Sequence, residues 1–126
     1  MTQNVVGTWE LVRFEIATPE GSTKQWGPNP RGQLIYTADG RMSVAINRDR
    51  EPADSDEKST LNSILFYAGT YSTEGNTVRH IVGLASSPDR VGKELIRYAE
   101  FHNDEIHLKT PQESFGVANL VWRRAK

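Results

Sequence analysis

The chain contains no cysteine. Disulfides and thiol chemistry are therefore excluded, and a reducing cytoplasm is the expected setting. No apolar run approaches the ~20 residues that cross a bilayer as a helix, so no membrane association is expected. Residues Met1 to Val6 carry neither the basic n-region nor the apolar h-region of a secretory signal. Neither sign of charge dominates, because 15 basic and 16 acidic residues leave a net charge of −1. A nucleic-acid surface needs a basic excess, so no nucleic-acid partner is expected. The closing positives Arg123, Arg124 and Lys126 read as a solvated chain end. A glycine-rich phosphate loop and a nucleophile-elbow serine are also missing, and no cofactor is expected. With 126 residues, the chain is expected to form one domain over 1–126, long enough to bury a core. Its oligomeric state is not set by composition.

Alternation with a period of two runs through most of the length. The first strand covers about Gly7 to Ile16 and opens with Gly7-Thr8-Trp9. Small ligand-binding β-barrels often begin with Gly-x-Trp, the Trp plugging the closed end. A loop with Pro19, Gly21, Gly27, Pro28 and Pro30 follows, then strands over Arg31 to Ala38 and Arg41 to Asn47. Asp39-Gly40 between them has the form of a two-residue type I′ hairpin turn. Arg48 to Ser59 is dense in charge and reads as a loop whose acids are solvated. Thr60 to Tyr67 has Leu61, Ile64 and Leu65 at helical spacing, with Ser59 or Thr60 available as N-cap. The spacing predicts a short helix over the barrel mouth; an early start to the fourth strand is the competing reading. From Ala68 the chain is a meander, with turns at Glu74-Gly75-Asn76, at Ser86 to Asp89 and at His102 to Glu105. About eight strands at regular spacing with one helix point to an all-β, antiparallel, up-and-down barrel with room for side chains or one small ligand.

The segments Gly7-Thr8-Trp9-Glu10-Leu11-Val12, Gly27-Pro28-Asn29-Pro30-Arg31-Gly32 and Leu34 to Ser43 resemble the bacterial and fungal lipocalin-like domain family. Tyr67-Ala68-Gly69-Thr70-Tyr71, the strand carrying His80, Pro88 with Gly92, Arg97, and Leu120-Val121-Trp122 continue the resemblance in order. It implies a calycin-type barrel with a helix inserted before the fourth strand and a small-molecule pocket. Members often accompany secondary-metabolite pathways, and barrels of related shape include carriers and cyclases. The chain lacks the disulfide and the Thr-Asp-Tyr motif of secreted lipocalins, which argues against extracellular transport.

Residues on the inward faces are the candidates for chemistry. Val78, His80, Val82 and Leu84 share one face of a strand. His80 would then be a polar group in the cavity wall, able to act as acid or base near neutral pH. The plainer alternative is a core histidine paired with a carbonyl or a tyrosine hydroxyl. Arg97 alternates with Leu95, Ala99 and Phe101, and no acid on its strand shares that face. It would meet a ligand carboxylate or enolate, or stack on Trp9 at the barrel floor. If Ile96 and Tyr98 face inward instead, Arg97 faces solvent.

Tyr36, Tyr67 and Tyr71 are candidate mouth residues with hydroxyls to offer. Trp26 would cap a ligand or cover the core, and Met42 is expected in the cavity wall. The ligand-binding candidates are thus Tyr36, Met42, Tyr71, His80, Arg97 and Trp26, with His80 and Arg97 as the catalytic pair if the protein is an enzyme. His102 and His107 are expected on the outer face, away from His80, so no metal site is expected. Two functions follow. One is binding of a small hydrophobic or polyketide-like molecule in the cavity. The other is a cofactor-free cyclase or isomerase that uses the inward His and Arg. A module that binds partners through the barrel exterior is a third class, with no apolar patch visible in the periodicity to support it.

Overall fold

The computed structural model describes residues 4–25, 30–47, 64–112 and 116–125. Among these, the strands are β1 (Gly7–Ala17), β2 (Thr23–Gln25), β3 (Arg31–Tyr36), β4 (Arg41–Asn47), β5 (Ile64–Glu74), β6 (Thr77–Ala85), β7 (Glu94–His102), β8 (Glu105–Lys109) and β9 (Val117–Arg124). Each pairs antiparallel with its neighbour, and β1 also pairs with β9. That last pairing closes the sheet and removes the exposed edges an open sheet would leave. Along one edge of β1, Gly7 to Glu10 pair with β3 and Glu15 to Ala17 pair with β2. β2 therefore extends the edge that β3 vacates, and eight strands make the barrel wall. The all-β antiparallel barrel expected from the alternation is the fold observed.

The wall alternates as the pleat requires. On β4, Met42, Val44 and Ile46 are buried while Arg41, Ala45 and Asn47 are exposed; on β6, Val78, His80 and Val82 are buried. Leu84 departs from the expected inward face and is 66% exposed. The cause is a bulge: Ala68 pairs with Leu84 and Gly69 with Val82, so Gly83 is left over and parity reverses beyond it. Gly69 makes this close pairing possible, since a Cβ there would lie 1.8 Å from the Ile81 carbonyl oxygen. Gly69→Ala is expected to cost about 2 kcal/mol or more, because backbone on both strands must move. Gly75, with φ 58° and open space where a Cβ would point, is the control. Its replacement by Ala should cost only about 1 kcal/mol of left-handed backbone strain. Urea titration of both variants measures the difference, and equal losses would show that the bulge does not need Gly69.

Two local expectations are corrected. The β3–β4 turn is not a two-residue I′ turn, because Asp39 does not have positive φ. Gly40 alone does, at 93°, and the Gly40 amide donates to the Thr37 carbonyl at 3.2 Å. The loop is Ala38-Asp39-Gly40, closed by the Thr37–Arg41 backbone bond, with glycine at the left-handed position such three-residue loops require. The predicted helix fails over its second half: Ile64 to Tyr67 are the first residues of β5, paired with Val44 to Asn47. Their apolar residues serve a strand buried on one face, which a short apolar run does not distinguish from a helix. The rest of that helix, the charged stretch before it and Trp26 lie outside the described residues. The only helical element described is a 3-10 turn at Pro88–Arg90.

The two ends of the barrel differ. Tight turns at 37–40, 75–76 and 103–104 gather at one end, where Trp9 is 1% exposed and its indole N–H donates to the Val5 carbonyl at 2.9 Å. An arginine does stack on Trp9, but it is Arg124, its guanidinium carbon 4.3 Å from the ring centroid. Arg124 also donates to the carbonyls of Val6 at 2.9 Å and Asn4 at 2.8 Å. The chain end read as solvated thus supplies the cap of the barrel floor. No helix among the described residues is long and apolar enough to cross a membrane.

Candidate functional site

A cavity of about 110 Å³ occupies the half of the barrel away from Trp9. Most of its wall is apolar, from Phe14, Leu34, Val44, Ile46, Leu65, Leu108, Ala118 and Leu120. The polar contributions come from Tyr67, His80, Arg90, Arg97, Thr110 and the indole of Trp122.

His80 is held between two tyrosines. The inward parity of β6 buries it to 2% exposure. Its Nε2 lies 2.6 Å from the Tyr36 hydroxyl of β3, and its Nδ1 lies 2.7 Å from the Tyr67 hydroxyl of β5. Burial first, and then the positive charge of Arg97, lower its pKa from 6.5 to about 3. The imidazole is therefore neutral at physiological pH, with one N–H to give and one lone pair to receive.

Counting partners orients the chain of protons. The Arg97 guanidinium acts on the Tyr67 hydroxyl electrostatically and favours negative charge there. The Tyr36 hydroxyl is fully buried, and among the described residues only His80 meets it. Tyr36 therefore donates to Nε2, and the Nδ1–H donates to Tyr67. Tyr67 accepts from His80, and its own proton, with no acceptor among the described residues, is left to turn toward the cavity it lines. The opposite tautomer would leave the Tyr36 proton buried and unpaired. Burial raises the pKa of both tyrosines and keeps them protonated; for Tyr36 the neighbouring Tyr67 adds to the rise, and for both Arg97 opposes it.

Arg97 is half-buried on the cavity wall and donates through Nη1 to the Ile96 carbonyl at 2.9 Å. Tyr98 is 45% exposed, so the Leu95–Arg97–Ala99–Phe101 face is the inward one. No carboxylate among the described residues forms an ion pair with Arg97. Trp122, 1% exposed, has its indole N–H without a hydrogen-bond partner among the described residues.

The sequence candidates separate as follows. His80 and Arg97 line the cavity. Tyr36 touches it only through His80. Tyr71 is at the closed end, its hydroxyl donating to the Thr37 carbonyl at 2.7 Å and its ring 4.7 Å from that of Tyr36. Met42 is buried beside Tyr36, with which it pairs, in the half of the barrel below the cavity. Neither Tyr71 nor Met42 is a wall residue, and Tyr36 and Tyr67 are interior rather than at the mouth. The position of Trp26 is outside the described residues. His102 and His107 lie on the outer face, their rings 4.5 Å apart, with His102 2.7 Å from Glu100. Sequence reasoning missed Arg90, Thr110 and Trp122 as wall residues. The alternation could have flagged Trp122, but Arg90 reaches the cavity from the 3-10 turn, where no periodicity operates.

The profile of the lipocalin-like domain family matches residues 6–125. The chain belongs to that family. No protein of curated function matches it in sequence. A redesigned β-barrel is similar in structure, with 10% identity, a TM-score of 0.51 and coverage of 96% of this chain and 91% of that one. The wild-type fluorescent protein UnaG is similar at 16% identity and a TM-score of 0.45, covering 95% of this lipocalin-like chain and 96% of its own.

Proposed function

We propose that this lipocalin-like barrel binds one small, mostly apolar molecule, of a hydrophobic or polyketide-like kind, in the cavity above Trp9. The observation that carries the reading is a largely apolar cavity inside a closed barrel with its polar groups gathered into a few side chains, the usual makeup of a small-molecule site. Apolar burial would supply most of the affinity at roughly 25 cal/mol per Å². Native mass spectrometry of the protein as purified is expected to show a bound small molecule that is lost on denaturation. A spectrum of bare chain, together with no stabilisation by any apolar compound, would count against a binding site.

One observation favours a second reading, a cofactor-free cyclase or isomerase of a secondary-metabolite pathway. A carrier of apolar cargo gains little from a linked Tyr36–His80–Tyr67 group beside Arg97, whereas proton transfer makes use of one. In that reading the barrel holds the substrate in a reactive conformation. His80 moves a proton by way of Tyr67, and Arg97 stabilises the developing negative charge. A cytoplasmic setting suits either reading.

A further inference from the structure

We propose that the polar wall of the cavity is an anion site, taking the carboxylate or enolate oxygen of an otherwise apolar ligand on Tyr67 and Arg97. The proposal rests on the binding reading above and narrows it to a ligand class. Its starting point is a mismatch between donors and acceptors. Tyr67 accepts from His80 and has one proton left to give. The Thr110 hydroxyl already accepts from the Ala118 amide at 2.9 Å, which leaves its proton available. Arg90 and Arg97 add two positive charges to the wall, and no Asp or Glu is among the described lining residues.

A buried donor without an acceptor costs about 1–3 kcal/mol. A neutral apolar ligand would offer these donors no acceptor. A ligand oxygen bearing negative charge accepts from several donors at once, and charge-assisted hydrogen bonds are about twice as strong as neutral ones. The neutral state of His80 fits the same arrangement. The histidine brings no competing charge and holds Tyr67 so that its hydroxyl faces the ligand.

The test compares two probes of equal chain length, decanoate and decan-1-ol, by titration calorimetry at neutral pH. Decanoate is expected to bind about ten-fold or more tightly than the alcohol. Arg97→Met should remove most of that preference, while Arg97→Lys should keep part of it. Tyr67→Phe retains the ring and deletes the O–H, and should weaken decanoate by about three- to ten-fold. Circular dichroism melts confirm that each variant is folded. If the alcohol binds as well as the acid, or if the preference survives Arg97→Met, the anion site is refuted and the apolar binding reading stands. If neither probe binds the folded wild-type protein, the binding reading fails and the anion site fails with it.

Discussion

Lowering the pH from neutrality through 6.5 to about 3 is expected to cost the barrel about 4 kcal/mol through His80 alone. In the unfolded chain the imidazole takes up a proton near pH 6.5; in the folded barrel it resists until about pH 3. Over that window the unfolded state binds more protons, so acid favours unfolding. The contribution is fully present above pH 6.5 and is lost as the pH falls through the window. The groups that face His80 explain the resistance. Tyr36 from β3 and Tyr67 from β5 occupy both nitrogens, and neither carries a negative charge to stabilise an imidazolium. Arg97 from β7 opposes a second positive charge. Protonation would also convert Nε2 from acceptor to donor and strand the Tyr36 proton. Since small domains are stable by only about 5–15 kcal/mol, this one group is expected to set much of the acid limit. Urea titrations across the window measure the slope. His80→Gln keeps one donor and one acceptor but cannot titrate there, so its stability should fall much less steeply. An unchanged slope would show that His80 does not govern acid stability.

How far the site was legible depended on where parity could be trusted. Met42, Val44 and Ile46 on β4 follow a strict alternation, and the structure buries all three. His80 and Arg97 were placed inside by the same reasoning, and Tyr98 on the surface settles the choice for β7. Parity failed at Leu84 because the bulge at Gly69 is a property of two strands in register, which neither strand shows alone. It also could not reveal that Tyr36 and Tyr67, on strands separated by β4, reach one imidazole. That meeting depends on barrel closure and on side-chain length across the interior. The role of Tyr67 followed from hydrogen-bond partners, which sequence does not count. Arg124 was misplaced for a similar reason. A closing Arg-Arg-x-Lys run reads as solvated unless pairing of β9 with β1 is known to lay it over Trp9.

Tyr67→Phe is expected to separate the two functional readings, because it removes the cavity hydroxyl that His80 holds and leaves the ring that packs there. If the barrel catalyses a cyclisation or isomerisation, Tyr67→Phe should lower turnover by about 10²–10⁴ while changing substrate affinity by less than about ten-fold. Arg97→Met should also lower turnover, since charge developing in the transition state loses its partner. Its effect on ground-state affinity would depend on the charge the substrate already carries. His80→Gln still holds the tyrosine from behind but cannot relay a proton, so in the enzyme reading it should lower turnover to a similar extent. If the barrel is a carrier, there is no turnover to lose, and Tyr67→Phe should weaken binding by the value of one hydrogen bond, about 0.5–1.5 kcal/mol. The measurement uses extracts of the producing organism as the source of compounds and follows both disappearance of a bound species and appearance of a new one. A compound that binds tightly and is recovered unchanged after long incubation with the wild-type protein would end the enzyme reading. Conversion by wild type that persists at full rate in Tyr67→Phe would leave catalysis in place but remove Tyr67 from it. The proton would then have to come from a group other than the one aimed into the cavity.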